Sequence, residues 1–111
     1  RTVVREAATG QHHGVARVQR DPRFRELLFT EAINAYLGGD TAAGKAILRD
    51  LVNATVGFEQ LAQLTQKPSK SLHRMLSQKG NPSMDNLAAI FGAVRNWLNV
   101  TFDVRVVETA S

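Results

Sequence analysis

The stretch 58–78, FEQLAQLTQKPSKSLHRMLSQ, decides the fold that we predict for this chain. Pro68 divides it into two segments, and each segment repeats its inward-facing residues at helical spacing. The break is too short for two helices to pack antiparallel, so we expect a bent pair over 58–66 and 69–78. The residues expected to face inward are Leu61, Ala62, Thr65, Leu72, Met75 and Leu76.

The second predicted helix directs polar side chains away from that apolar face. A helix in the major groove of duplex DNA contacts bases and phosphates with side chains of this kind. The stretch therefore indicates a helix-turn-helix that binds double-stranded DNA. The outward residues are Ser69, Lys70, His73, Arg74 and Ser77.

The excess positive charge of the chain lies in the same place. The formal net charge is +4, from 14 Lys and Arg against 10 Asp and Glu. The window 60–84 contains four of these cations and no Asp or Glu. The rest of the chain therefore has ten cations and ten carboxylates and is neutral. This placement is typical of a phosphate-facing surface, although a solvated basic patch gives the same pattern. The cations of the window are Lys67, Lys70, Arg74 and Lys79.

The sequence before this stretch predicts a helical hairpin within a single domain at 21–107. Asp21 and Pro22 are a helix start signal. Two glycines end that helix, and Asp40 caps the next one. An N-terminal arm or short helix is expected at 1–20. The apolar residues at helical spacing in the first helix are Phe24, Leu27, Leu28, Ile33, Tyr36 and Leu37.

The sequence after this stretch predicts a long helix and one strand. Ser83 caps the helix, and Trp97 is expected in the core or in a dimer interface. Residues 100–107 alternate apolar and polar side chains, which is typical of a strand. A lone exposed strand is unfavourable, so we expect it to pair with the same strand of a second copy. A hairpin with residues 2–5 is the alternative.

The segment 61–82, LAQLTQKPSKSLHRMLSQKGNP, resembles the pattern LAxxTGxxxxSLxRxLSxxGNP of a bacterial family, the HigA-like antitoxins or addiction-module antidote proteins. The resemblance extends over about 20–107. It implies an all-α, lambda-repressor-like helix-turn-helix domain that binds DNA as a dimer and represses transcription, sometimes beside a toxin protein. Gln66 replaces the usual Gly of the turn, where a left-handed backbone suits glycine. Lys67 replaces a commonly apolar residue.

The resemblance implies which residues contact DNA. Arg74 suits a bidentate contact to guanine. Ser69 and Lys70 are expected to contact bases or phosphates, and so is His73 unless it packs against the neighbouring turn. The full set of expected DNA-binding residues is Lys67, Ser69, Lys70, Ser71, His73, Arg74, Ser77 and Lys79.

Four members of this set lie at or near the two ends of the second helix. Lys67 and Lys79 suit phosphate clamps, although both could be plain solvated residues. Ser69 and Ser71 are close enough to the helix N-terminus to help hold a backbone phosphate.

The composition argues against several other classes of protein. The chain has no cysteine, which excludes a disulfide scaffold, a cysteine zinc site and a thiol nucleophile. No apolar run approaches the roughly 20 residues of a membrane span, and we expect a cytoplasmic protein without a signal peptide. His12 and His13 are adjacent and do not suit one metal ion. No spacing suggests a catalytic triad, so we expect no enzyme, no cofactor and no metal.

Two other functions fit the same sequence. In the first, the protein is an antitoxin that mainly covers a toxin enzyme, using residues 1–53; a small toxin that co-purifies would favour it. In the second, the helix-turn-helix serves only dimerisation, and DNA affinity that depends on salt would be absent.

Overall fold

The computed structural model describes residues 19–110. The regular structure that lies wholly within this range is helical, which confirms the predicted all-α class. The predicted arm at 1–20 and the alternative strand partner at 2–5 fall almost entirely outside it. The helices are α1 (Pro22–Leu37), α2 (Thr41–Ala54), α3 (Phe58–Thr65), α4 (Ser69–Met75) and α5 (Met84–Leu98).

Three predicted caps determine where α1, α2 and α5 begin. Asp21 Oδ1 accepts hydrogen bonds from two backbone N–H groups of the first turn of α1, at 3.1 and 3.3 Å. Asp40 Oδ1 accepts one at the start of α2 at 3.2 Å, and Ser83 Oγ accepts one at the start of α5 at 3.1 Å. Each bond satisfies an amide that has no partner within its own helix.

One core cluster includes side chains from all five helices. In α1 the buried stripe runs through Phe24, Leu28 and Ala32, one helical turn apart. Leu27 and Leu37, predicted on the apolar face, are 49% and 66% exposed because they flank that stripe. The largest fully buried side chains are Phe24, Leu48, Leu51, Val52, Leu61, Leu72, Leu76, Ile90 and Val94.

An aromatic cluster joins the C-terminal segment to the helices. Phe29 of α1 stacks on Phe91 of α5 with ring centroids 5.7 Å apart. Phe102, beyond α5, meets Phe29 edge to face at 4.7 Å and Phe91 at 6.3 Å. Such pairs add to the free energy gained from burying the rings, so Phe102 holds the start of the C-terminal segment against α1 and α5.

The strand predicted at 100–107 is not formed in the single chain. Residues 100–110 are neither helical nor paired as a strand. Val106 is 99% exposed and Val107 75% exposed. A strand needs a neighbour for its backbone hydrogen bonds. Within the residues described, one copy of the chain provides no such neighbour for 100–107.

None of the helices within 19–110 is long and apolar enough to cross a membrane.

Candidate nucleic-acid interface

The two short helices predicted around Pro68 are present as α3 and α4. The first ends at Thr65, one residue earlier than predicted. The second ends at Met75, three residues before the predicted end at Gln78. Pro68 occupies the N-cap position of α4 with an extended backbone, which suits its fixed φ and its missing N–H.

The turn between them has a left-handed residue at its centre. Gln66 has φ 58° and ψ 38°, in the region where glycine is usual. The backbone N–H groups of Gln66 and Lys67 both donate to the carbonyl of Ala62, the latter at 3.2 Å. The Gln66 side chain also donates to the Gln63 carbonyl at 3.1 Å. These bonds end α3 and stabilise a backbone conformation that is otherwise costly for glutamine.

Helix α4 has one buried face and one exposed face. Leu72 and Leu76 are completely buried, and Met75 packs against the core. Lys70 and Arg74, one turn apart on the other side, are exposed. The prediction is therefore confirmed for Leu72 and Leu76 as inward residues and for Lys70 and Arg74 as outward ones, whereas Ser69 and Ser77, also predicted to face outward, are half-buried.

The cations of the window 60–84 are available at the surface. Lys70, Arg74 and Lys79 are exposed, and Lys67 is half-buried. None of the four forms an ion pair with another residue of the range 19–110. Because no carboxylate neutralises them there, their charge remains available to an anionic partner.

His73 packs against α3 and is also exposed. Its imidazole stacks on the ring of Phe58, with centroids 3.9 Å apart and an angle of 21° between the planes. Of the two alternatives from the sequence, packing against a neighbouring element and contact with DNA, the structure shows packing and leaves the side chain exposed. His73 therefore links α4 to the first residue of α3 while remaining on the outer surface.

The three serines of the expected set differ in their surroundings. Ser77 Oγ donates to the carbonyl of Arg74 at 2.7 Å, and its backbone N–H donates to the same oxygen at 3.1 Å. Ser77 therefore satisfies the C-terminal end of α4. Ser69 and Ser71, in the first turn of the helix, are half-buried.

Two cations of α2 that the sequence pattern did not single out hold the segment after α4. Lys45 Nζ donates to the carbonyls of Gln78 at 3.1 Å and Gly80 at 2.6 Å. Arg49 Nη1 donates to the carbonyl of Leu76 at 3.0 Å. Carbonyls at a helix C-terminus lack partners within the helix and attract positive charge. Arg49 therefore holds the C-cap residue of α4 against α2, and Lys45 holds the loop that follows it.

A signal for this role was present in the sequence. Lys45 lies three residues before Leu48 and seven before Val52, so it falls on the apolar face of α2. It is 7% exposed. A lysine within an apolar stripe is rarely buried without polar partners, and Arg49 follows it by one turn.

Gly80 is needed for steric reasons. A Cβ at this position would overlap the carbonyl oxygen of Arg74 and lie 2.5 Å from that of Met75. The backbone N–H of Gly80 donates to the Ser77 carbonyl at 3.0 Å. The chain therefore folds back tightly over the end of α4, which explains why the helix stops before Gln78.

Residues 19–110 contain no group of three or more His, Asp or Glu that could hold a metal ion. His12 and His13 lie outside that range.

No family model matches this chain, and neither the curated proteins nor the solved structures contain a match. The resemblance of the segment 61–82 to HigA-like antitoxins therefore stays a prediction.

Proposed function

We propose that this protein is a sequence-specific DNA-binding transcriptional regulator in which α3 and α4 form a helix-turn-helix. The observation that carries the proposal is the division of α4 into two faces. Leu72 and Leu76 fix the helix to the core, whereas Lys70 and Arg74 face solvent without an ion pair among the described residues. A helix fixed in this way can enter a major groove with its polar face toward the bases.

The proposed contacts follow from position on this surface. Arg74 donates two hydrogen bonds to a guanine, while Lys70 and His73 contact neighbouring bases or phosphates. Lys67 and Lys79 lie before and after the helix and contact the phosphate backbone. Ser69 and Ser71, in the first turn of α4, help to hold a backbone phosphate. Ser77 contributes through its hydrogen bond to the Arg74 carbonyl at the C-terminal end of α4.

Dimerisation is part of the same proposal. Val104, Val106 and Val107 of the C-terminal segment are 62%, 99% and 75% exposed, and Trp97 of α5 is 51% exposed. Exposed large apolar side chains favour burial against another protein surface. Pairing of the segments 100–107 from two copies would supply the missing strand partner and a two-fold axis.

A two-fold dimer presents two α4 helices to successive major grooves, about 34 Å apart on DNA. The expected target is a palindromic operator, and occupancy of a promoter by the dimer excludes the polymerase. The regulator is therefore proposed to act as a repressor.

The proposal is tested by selecting bound sequences from random duplex DNA at fixed salt, with the complete chain. We expect a palindromic consensus whose half-sites are about one helical turn apart. Recovery of unenriched random sequence would show that α4 does not recognise bases. A consensus without two-fold symmetry would contradict the dimer.

A further inference from the structure

A partly open cavity of about 560 Å³ lies apart from the exposed face of α4. It is bounded by α1, α2, α5, the loop 80–82 and the C-terminal segment. Its volume falls in the range of about 300–1,000 Å³ that is usual for small-molecule sites. Most of its wall is apolar, including Leu37, Leu87, Phe91, Phe102 and Val104.

Among the residues that the structure describes, Lys45 is the only charged one that lines this cavity. It is 7% exposed, and its ammonium lies 2.6 Å from the carbonyl of Gly80, which is another lining residue. An ammonium has three N–H donors, and carbonyls within the described chain accept from two of them. A buried positive charge with one remaining donor favours an anion, because neutral acceptors leave that charge uncompensated.

Tyr36 also lines the cavity, with its hydroxyl enclosed in the protein. Its hydroxyl oxygen is buried and has no hydrogen-bond partner within 19–110. The ring packs against the backbone of Gly44, where a Cβ would come within 2.7 Å of it. Burial raises the pKa of Tyr36 to about 12, so the hydroxyl stays protonated and adds no negative charge beside the cavity.

We propose that this cavity binds an amphipathic monocarboxylate, an acid with one carboxylate and an unbranched or aromatic apolar body. The carboxylate meets Lys45 in a charge-assisted hydrogen bond, and the apolar body lies along Phe91, Phe102 and Val104. A second charge on the ligand would be buried against apolar wall without a partner, which excludes dicarboxylates.

Occupancy of this cavity has a consequence for α4. Lys45 also holds the carbonyls of Gln78 and Gly80, so a carboxylate that shares its ammonium through the third donor weakens those two bonds and loosens the segment after α4. We expect the ligand to weaken DNA binding. This consequence rests on the proposed function, whereas binding of the acid is measured without DNA, so the two can fail separately.

The probe for the test is decanoate, with decanol as the neutral molecule of the same chain length. Each is titrated into the complete chain below its aggregation concentration, by calorimetry and by amide chemical shifts. We expect saturable 1:1 binding of decanoate, at least about tenfold tighter than decanol. Shifts should centre on the cavity wall. Equal affinities, no saturation, or shifts centred on 67–79 would each overturn the proposal.

A pair of variants at the rim tests the charge requirement without disturbing the core. Leu37 lines the cavity and is 66% exposed, so Leu37→Glu and Leu37→Gln remove the same apolar surface and differ in charge. We expect Leu37→Glu to bind decanoate several-fold more weakly than Leu37→Gln, with equal affinities for decanol. Identical decanoate affinities for the two variants would contradict recognition by charge. Lys45→Met should lower decanoate affinity about tenfold. If Lys45→Met does not fold, the two Leu37 variants alone test recognition by charge.

Discussion

His73 of α4 stacks its imidazole on the ring of Phe58, the first residue of α3, with centroids 3.9 Å apart. Phe58 is 6% exposed and belongs to the core, whereas His73 lies at the outer surface. The contact joins the two helices independently of the turn that connects them. A residue expected to contact DNA therefore also sets the angle at which α4 is presented.

Replacing His73 with Ala removes the stack. We expect the free energy of unfolding to fall by about 0.5–1.5 kcal/mol, the usual contribution of an aromatic pair. His73→Phe keeps an aromatic ring on Phe58 and should retain most of that free energy. Urea unfolding of the three proteins measures the difference. Equal stability of His73→Ala and the parent would show that the stack contributes nothing.

Gln66 occupies a left-handed conformation that glycine adopts without steric cost. We expect Gln66→Gly to be neutral or to stabilise the protein by up to about 1 kcal/mol, because relief of this cost outweighs the greater freedom of the unfolded chain. Gln63→Gly, at an exposed position within α3, should instead destabilise it by about 1 kcal/mol. Thermal unfolding distinguishes them, and a clear loss of stability in Gln66→Gly would contradict the left-handed turn.

Lys45 makes two of the hydrogen bonds that link α2 to the segment after α4. Lys45→Met deprives the carbonyls of Gln78 and Gly80 of a charged donor, and we expect a loss of about 1–3 kcal/mol in the free energy of unfolding. Lys70→Met removes the same charge from an exposed position and should change stability by no more than about 0.5 kcal/mol. Denaturant unfolding tests both. If Lys45→Met and Lys70→Met lowered the free energy of unfolding by similarly small amounts, the Lys45 bonds would not stabilise the segment after α4.

Tyr36 is the only tyrosine of the chain, so the absorbance of tyrosinate reports it alone. Burial raises its pKa from the usual 10.0 to about 12 in the folded protein. The folded state therefore keeps the proton more tightly, and its contribution to stability is complete below pH 10 and lost as pH rises towards 12. We expect an absorbance midpoint near 12 in the folded protein and near 10 in urea. A folded midpoint near 10 would contradict burial of the hydroxyl, and Tyr36→Phe should abolish the transition.

Local features of the fold were predictable from the sequence, and its tertiary contacts were not. Asp21, Asp40 and Ser83 act as caps because a cap is satisfied within one helical turn. The chain folds back at Gly80 after α4, and Lys45 holds the Gly80 carbonyl there from 35 residues away in the sequence. Local propensity therefore predicted a helix that continued to Gln78.

In the candidate site, too, the local features were predictable from the sequence and the tertiary contacts were not. Helical periodicity predicted that Lys70 and Arg74 face outward and Leu72 inward, since one face of a short helix must cover the core. It left two options for His73, because its stack on Phe58 depends on how the two helices cross. The left-handed backbone at Gln66 is set by the hydrogen bonds to the Ala62 carbonyl rather than by the preference of glutamine.

The exposed face of α4 is the surface proposed to recognise DNA, and Arg74 is its most specific member. On the operator obtained by selection, Arg74→Ala should weaken binding by about 1–3 kcal/mol and relax discrimination at one base pair of each half-site. Lys79→Ala should weaken binding to all sequences alike and reduce the salt dependence by about one phosphate contact. Arg23→Ala, on the exposed side of α1, removes the same charge elsewhere and should leave discrimination unchanged.

The most direct measurement is fluorescence anisotropy at fixed salt with the parent and Arg74→Ala, on the operator and on copies that each carry one base substitution. We predict that the parent discriminates against substitutions at the guanine contacted by Arg74, and that Arg74→Ala loses this discrimination while keeping it at other positions. If Arg74→Ala binds the operator and every substituted copy with the affinities of the parent, α4 does not recognise DNA through this face.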